Sequence, residues 1–279
     1  MKIGIGLPIG DVGTVLALAR HADAGPFTTL GLLDRLVYDN PEPLVTLAAV
    51  AGATSRVRVQ TEVLLVPLRD PVLLAKQAAT LDRISHGRFT LGIGVGTRAD
   101  DYRAAGVEFA NRGRRLDEQL ACLRDIWAGA PGADPIGPAP ARAGGPEILF
   151  GGFKTAALHR VARWGDGFLC AAPLEWAGPL MRAVERSWHE AGRSGRPRLV
   201  AQVNVALGPD RMVTEAKHAI RSYYGEGEYA DQAAERTLTS PRQIRDVITA
   251  FGDLGVDELM LYCWSPEPEQ VHRLADAVA

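Results

Sequence analysis

Few residues of this chain have the type and position to do chemistry, and the candidates lie at the ends of predicted strands. Asp34 and Arg35 come directly after the apolar run TTLGLL, and Glu62 lies near the end of a later apolar run. Acid–base catalysis needs side chains of this kind at a site. The strand ends hold no Ser–His pair for a nucleophile and no mixture of His, Cys and carboxylates typical of a metal site. An organic cofactor is therefore expected to supply the chemistry.

Two loops that contain glycine follow two further predicted strands. They are Gly94, Val95, Gly96 and Thr97 after the first strand, and Gly151, Gly152, Phe153 and Lys154 after the second. A glycine pair between a strand and a helix leaves the first N–H groups of that helix free, with the positive end of the helix dipole behind them. Lys154 adds positive charge. This pattern is typical of a phosphate site, although a plain strand-to-helix turn has the same residues.

The remaining candidates are polar and aromatic side chains that could contact a substrate. Gln202 and Asn204 lie two residues apart in the run LVAQVNVAL, so both point to the same side of a strand. There they either bond each other inside a barrel or reach a ligand near its end. Tyr38 and Trp264, which each follow a predicted strand, are the other expected substrate contacts.

Eight apolar runs alternate with helical patterns along the chain. They predict strands over residues 2–7, 28–33, 57–65, 88–93, 147–150, 167–171, 199–207 and 258–263. This order favours a single (β/α)8 TIM barrel over residues 1–279, whose site would lie at the carboxyl ends of the strands. Two Rossmann-like domains are the alternative. They are disfavoured because the turn after the first strand, LPIGDVG, lacks the G-x-G-x-x-G spacing.

Two further expectations concern the parts around the predicted site. The Pro-, Gly- and Ala-rich segment 129–145 is the longest irregular stretch, and long loops in compact domains are often functional. It is therefore expected to act as a lid or pocket wall, together with Tyr38 and Trp264. The helix that precedes the strand at 88–93 is expected to bury an apolar stripe and to keep Asp82 off it. The stripe consists of Val72, Leu73, Ala75, Ala79, Leu81 and Ile84.

Composition limits the partners. A formal net charge of −2 over 279 residues argues against nucleic acid as an obligate partner. No window approaches the ~20 consecutive apolar residues of a membrane span, and the chain begins with a strand rather than a secretory signal. The three cysteines show neither metal spacing nor a disulfide framework. A cytoplasmic protein with reduced thiols and a small-molecule substrate is expected.

Four segments resemble a known family. They are the string PEPLVTLAAVAGATSRVRVQTEVLLVPLRDPVLLAKQAATLDRISHGRFTLGIGVG at 41–96, GVEFANRGRRLDEQL at 106–120, ILFGGFKTAALHRVARWGDGF at 148–168 and SPRQIRDVITAFGDLGVDELMLY at 240–262. They are similar to the luciferase-like monooxygenases, and TLDRISHGRFTLGIGVG is the most specific part. The resemblance implies a bacterial-luciferase-like barrel that binds FMN or the 5-deazaflavin coenzyme F420 at the carboxyl ends of its strands.

The resemblance also implies roles for individual residues. Asp34 matches an acidic residue near the isoalloxazine ring, and Glu62–Val63 falls where many members have a cis peptide behind the ring. The loop 94–97 would flank the ring and ribityl chain, and 151–154 would hold the phosphate. The catalytic candidates are Asp34, Arg35 and Glu62.

Three departures from the family pattern restrict the substrate. Arg35 stands where a histidine is common, and Thr97 stands where sugar-phosphate dehydrogenases of the deazaflavin branch have glutamate. Asp100 and Asp101 stand where a glutamate often follows the glycine loop. Without that histidine and glutamate, the acid–base pair for oxidising a sugar alcohol is missing, so that substrate is not assigned.

The resemblance leaves several functions open. The compact length favours F420-dependent hydride transfer to or from a small organic substrate, and Arg35, Arg98, Arg103 and Lys154 could bind the anionic tail of F420. The alternatives are an FMN-dependent monooxygenase that uses O2 and a flavin-binding barrel without turnover. A cofactor-free, phosphate-binding isomerase or lyase is a further alternative. A separate flavin or F420 reductase and a homodimer are the partners that remain open.

Overall fold

The computed structural model describes residues 1–7, 12–129, 135–225 and 227–279, where nine parallel strands form one closed barrel. The strands are β1 (Lys2–Gly6), β2 (Thr29–Leu32), β3 (Arg58–Thr61), β4 (Leu64–Leu65), β5 (Phe89–Gly94), β6 (Glu147–Gly151), β7 (Gly167–Cys170), β8 (Arg198–Val205) and β9 (Glu258–Cys263). The barrel closes because β1 pairs with β9 and because both β3 and β4 pair with β5. The prediction of a TIM barrel is confirmed.

Helices surround this barrel. They are α1 (Val12–Ala24), α2 (Pro43–Ala53), α3 (Pro71–Ile84), α4 (Ala99–Ala105), α5 (Arg112–Ala128), α6 (Thr155–Trp164), α7 (Leu174–Glu190), α8 (Asp210–Tyr224), α9 (Glu228–Glu235), α10 (Pro241–Asp253) and α11 (Glu269–Val278). Capping residues mark where some of them begin. At the beginning of α3, the N-cap residue Asp70 accepts a hydrogen bond from Leu73 N at 2.8 Å. None of the helices in the described part is long and apolar enough to cross a membrane.

The third predicted strand is two strands. β3 and β4 occupy one position of the barrel, and the Glu62–Val63 peptide bond between them is cis, as the family resemblance implied. Periodicity alone does not show this break, because residues that favour strands, Val59 and Thr61 before it and Val63 and Leu64 after it, continue across it.

Where the structure describes the segment 129–145, at Gly129 and residues 135–145, it does not form a lid, and the prediction is wrong there. This part leads into β6, so it lies at the amino ends of the strands, opposite to the predicted site. Lys76 Nζ donates to Gly137 O at 2.9 Å, and Ala141 N donates to Asp82 Oδ2 at 2.8 Å. These contacts hold its described part, 135–145, against the outside of α3; residues 130–134 lie outside the described residues.

The same contacts correct the expected orientation of α3. Asp82 is 1% exposed, because its carboxylate accepts from the backbone of the segment that covers it. Val72, Leu73 and Ile84 are instead exposed. Ala75, Ala79 and Leu81 of the predicted stripe are buried, and Leu74 and Ala78 complete the buried side of α3.

Charged side chains fill the barrel interior at the amino ends of the strands. Arg198 at the start of β8 forms ion pairs with Glu147 of β6 and Glu258 of β9. Arg58 of β3 joins the same Glu147 at 3.2 Å. This layer connects four strands and closes the end of the barrel opposite to the candidate site.

Candidate functional site

The two glycine loops lie side by side, because β5 and β6 are neighbours in the barrel. Val63 lies between them. An added Cβ would lie 2.6 Å from a Val63 methyl group at Gly94 and 2.9 Å from one at Gly151. Such separations are far below van der Waals contact, so these positions require glycine. The structure thus brings together three of the predicted cofactor contacts.

The amino end of α6 is open beside these glycines. Lys154 is its N-cap residue, and no side chain caps the first turn. The first four N–H groups of a helix have no partner within the helix, so this end can bind an anion. Phe153 and Lys154 are exposed, and Gly152 adopts a φ of +147° that favours glycine. The geometry fits a phosphate group, as the sequence predicts.

Asp34, which lies in the loop after β2, is buried against Arg69. The Arg69 guanidinium donates to both carboxylate oxygens, at 2.7 Å and 3.2 Å, and Leu65 N donates at 2.8 Å. Burial raises the pKa of Asp34 more than Arg69 lowers it. The Arg69 Nη2 that donates to Asp34 Oδ1 also donates to Glu42 Oε1, at 3.0 Å. Sequence reasoning missed Arg69, which lies 35 residues after its partner in a turn that shows no motif.

Arg35 directs its guanidinium into the protein. Its Nε donates to Asp101 Oδ2 at 2.6 Å, and its Nη1 donates to Tyr223 O at 2.5 Å. The backbone N–H of Val37 also donates to Asp101, at 2.7 Å. These bonds join the loop after β2 to α4 and to the end of α8. Because its donors already have acceptors, the arrangement favours a positioning role for Arg35, and its catalytic role stays a prediction.

Glu62 is the buried carboxyl of the site. It is 3% exposed, and its Oε1 accepts from Gln60 Nε2 at 2.7 Å. Its Oε2 has no hydrogen-bond partner among the described residues. Burial raises the pKa of Glu62 to about 8, so the carboxyl holds its proton at neutral pH. Gly31 makes room for it, since a Cβ there would lie 2.5 Å from the Glu62 carboxyl carbon.

The predicted substrate contacts meet through an aromatic residue that the sequence did not reveal. Trp264 Nε1 donates to Asn204 Oδ1 at 2.8 Å. Tyr223, at the end of α8, lies edge-on to Trp264 at 5.5 Å and to Tyr38 at 5.4 Å between ring centroids. The pair of tyrosines just before Gly225 is the one local signal that could have found it. Asn204 also lines a cavity of about 350 Å³ beyond the ends of β7 and β8.

No group of three or more His, Cys, Asp and Glu side chains that could hold a metal ion occurs within the described ranges. The site is instead a glycine-lined surface with an open helix end on one side and a buried carboxyl beneath it. Its orphaned Glu62 oxygen and its uncapped helix are the features that a bound organic group would satisfy.

Relatives among curated proteins have similar sequences. The chain is 30% identical over 186 residues to the uncharacterized protein Rv0953c of Mycobacterium tuberculosis, which covers 63% of this chain and 66% of that protein. It is 27% identical over 269 residues to an F420-dependent glucose-6-phosphate dehydrogenase of Nocardia farcinica, which covers 80% and 77%. The matched stretch thus spans just under two thirds of the length of the mycobacterial relative.

Solved structures have the same fold. An F420-dependent secondary alcohol dehydrogenase in complex with an F420-acetone adduct superposes with a TM-score of 0.79 at 17% identity, covering 100% of both chains. The FMN complex of the oxygenating constituent of 3,6-diketocamphane monooxygenase from Pseudomonas putida gives 0.72 at 17%, covering 94% of this chain and 91% of the other. The model of the luciferase-like monooxygenase family matches residues 4–279. The chain therefore belongs to the luciferase-like monooxygenase family.

Proposed function

We propose that this protein is an oxidoreductase that binds coenzyme F420 and uses it for hydride transfer to or from a small organic substrate. The observation that supports this most directly is the open amino end of α6 with exposed Lys154, directly beside the glycine surface of β5 and β6. An anion-binding helix end next to two glycine-containing loops suits a ligand that has both a phosphate and a ring.

The residues present fit such a cofactor. Lys154 and the loop 151–153 would hold the phosphate, and Val63, which packs against Gly94 and Gly151, would lie beside the ring. Bound F420 would supply the hydride chemistry. Glu62 would keep a proton beneath the ring. Asp34, held in place by Arg69, would lie at the edge of the ring. Arg35 would position the loop after β2.

Two observations bear on the cofactor and the substrate. The Nocardia farcinica relative is named as F420-dependent, which favours F420 here. The sugar phosphate of that relative is not proposed as the substrate, because the acid–base pair for oxidising a sugar alcohol is missing. Arg35 stands in place of the histidine and is held by Asp101, and Thr97 stands in place of the glutamate and has no carboxyl group. A small organic substrate of another class is proposed instead.

An FMN-dependent monooxygenase is the second candidate. It is favoured by the shared fold with the FMN complex from Pseudomonas putida, since one barrel accommodates either ring. This candidate requires a reductase partner that delivers reduced FMN. The two candidates differ in the cofactor that the purified chain binds.

Equilibrium titration with F420 and with FMN, followed by absorbance, tests the proposal. F420 is expected to bind more tightly than FMN, and Lys154→Gln is expected to weaken F420 about tenfold, since one charge-assisted hydrogen bond contributes roughly 1.5 kcal/mol. Lys2→Gln, an exposed lysine at the opposite end of the barrel, is the control and should leave affinity unchanged. Tight binding of FMN alone would select the monooxygenase, and binding of neither would reject both.

A further inference from the structure

A second site lies one strand away from the glycine surface. The cavity of about 350 Å³ has a floor made by Gln202 and Asn204 of β8. Its walls include Trp176 of α7 and Tyr229 of α9. Since β7 pairs with β6 through Leu169 and Gly151, the cavity is adjacent to the proposed cofactor position. Its size suits a small organic molecule.

The floor holds polar groups that no residue satisfies. Gln202 is 6% exposed, and its carboxamide has no hydrogen-bond partner in the part of the chain that the structure describes. Thr237, 5% exposed, lines the same cavity, and its hydroxyl is also without a partner there. The Thr237 hydroxyl is fully buried, whereas the Gln202 carboxamide is open to the cavity. A ligand that covers this carboxamide must bond it or leave it unpaired, at a cost of roughly 1–3 kcal/mol. Asn204 differs, because Trp264 donates to its oxygen.

The walls are aromatic. Tyr224, another wall residue, lies edge-on to Tyr229, with 5.1 Å between ring centroids. Trp176 is 52% exposed, and the Arg236 guanidinium lies over its ring, 5.8 Å from the ring centroid. Aromatic walls of this kind favour a flat, apolar body that can pack against rings.

Charge is confined to the mouth. The charged residues that line the cavity, Glu175, Glu235 and Arg236, are all exposed. Glu235 is already paired with Lys217 and Arg221. The floor therefore has no ionised group that could pair with a charged ligand, and burying an unpaired charge is costly.

We infer that this cavity holds the substrate, and that the substrate is a neutral aromatic molecule whose carbonyl or hydroxyl oxygen accepts a hydrogen bond from the Gln202 carboxamide. The inference rests on the proposed function, since it names the substrate class of that enzyme. A site built to bond such an oxygen discriminates against an analogue that lacks it, because Gln202 then stays unpaired.

Ligand-observed NMR titration of the full chain with three matched probes tests this inference. The probes are 2-acetonaphthone, the hydrocarbon 2-ethylnaphthalene and the anion 2-naphthoate. The ketone is expected to bind about tenfold more tightly than either of the others, the fold-change of one buried hydrogen bond. In Gln202→Leu this preference should disappear while the hydrocarbon binds at least as well as before.

A second variant separates the polar contact from the walls. Trp176→Ala removes an exposed side chain and should weaken the ketone and the hydrocarbon by the same factor, so that their ratio is kept. A wild-type chain that binds ketone and hydrocarbon equally would overturn the inference. So would a ketone preference that survives in Gln202→Leu.

The outcome is distinguishable from that of the proposed function. F420 and FMN titrations of the same preparations report on the cofactor site alone. A chain that binds F420 but shows no ketone preference would reject the inference and leave the proposed function standing. A ketone preference without binding of either cofactor would reject the proposed function, and the cavity would stand as a binding site for neutral aromatic carbonyl compounds.

Discussion

Glu62 couples the stability of the barrel to pH. In the unfolded chain its pKa is near 4.5, and burial raises it to about 8 in the folded protein. Below pH 4.5 both states hold the proton. Between the two values the unfolded chain loses the proton while the folded chain keeps it, so the free energy of unfolding decreases as pH rises. Above pH 8 the loss is complete, and it amounts to at most about 5 kcal/mol.

Urea unfolding at pH 5 and at pH 8 checks this prediction. Glu62→Gln resembles the protonated carboxyl and cannot ionise, so its stability should decrease less between the two pH values than that of the wild type. Glu190→Gln, an exposed change on α7, should follow the wild type. Equal pH dependence of wild type and Glu62→Gln would show that Glu62 does not hold its proton in the folded state.

Asp34 and Arg69 should show strong energetic coupling. Arg69→Met leaves the Asp34 carboxylate, 5% exposed, with only the Leu65 N–H as donor, so a loss of about 3 kcal/mol is expected at neutral pH. Combining it with Asp34→Asn should cost less than the sum of the single changes, by about 2 kcal/mol. Denaturant unfolding of the wild type, the two single variants and the double variant gives this coupling energy. Additive losses of unfolding free energy would contradict the prediction.

At the scale of elements, burial on both faces explains which parts the sequence predicts. β2, β5 and β9 are buried along their whole length, so they read as continuous apolar runs. α4 and α9 were missed because each is short and polar outside, with only a few buried residues to mark a period. The ends of strands locate the candidate site, whereas Arg69 and Tyr223 enter it from distant elements and leave no local pattern.

The junction of α4, α8 and the loop after β2 depends on one carboxylate. Asp101 accepts from Arg35 Nε and from two backbone N–H groups, of Leu36 and Val37. Asp101→Asn turns an N–H group toward these donors, so a loss of about 3 kcal/mol is expected in urea unfolding. Asp100→Asn is the matched control. Its carboxylate is more exposed and pairs mainly with Arg98, so it should lose less than about 1 kcal/mol.

At the scale of the whole molecule, the two ends of the barrel are built differently. The carboxyl ends carry glycines, aromatic rings and the orphaned oxygen of Glu62, which leave polar groups free for ligands. The amino ends carry a layer of ion pairs in which the donors and acceptors satisfy one another. Stability is therefore expected to depend on the amino end and binding on the carboxyl end, the division seen in barrels of this type.

Substituting two arginines near the start of β8 tests whether the amino end of the barrel determines stability. Arg198 pairs inside the barrel with Glu147 and Glu258, and the Glu258 side chain is only 1% exposed. Arg198→Met strands a buried carboxylate and should cost about 4 kcal/mol of unfolding free energy. Arg196 pairs with Asp257 but is 57% exposed, so Arg196→Met should cost less than about 1 kcal/mol. Since the layer lies opposite to the proposed cofactor site, Arg198→Met that remains folded should bind F420 as the wild type does. Equal losses of stability for the two arginines would show that the ionic layer does not hold the barrel closed.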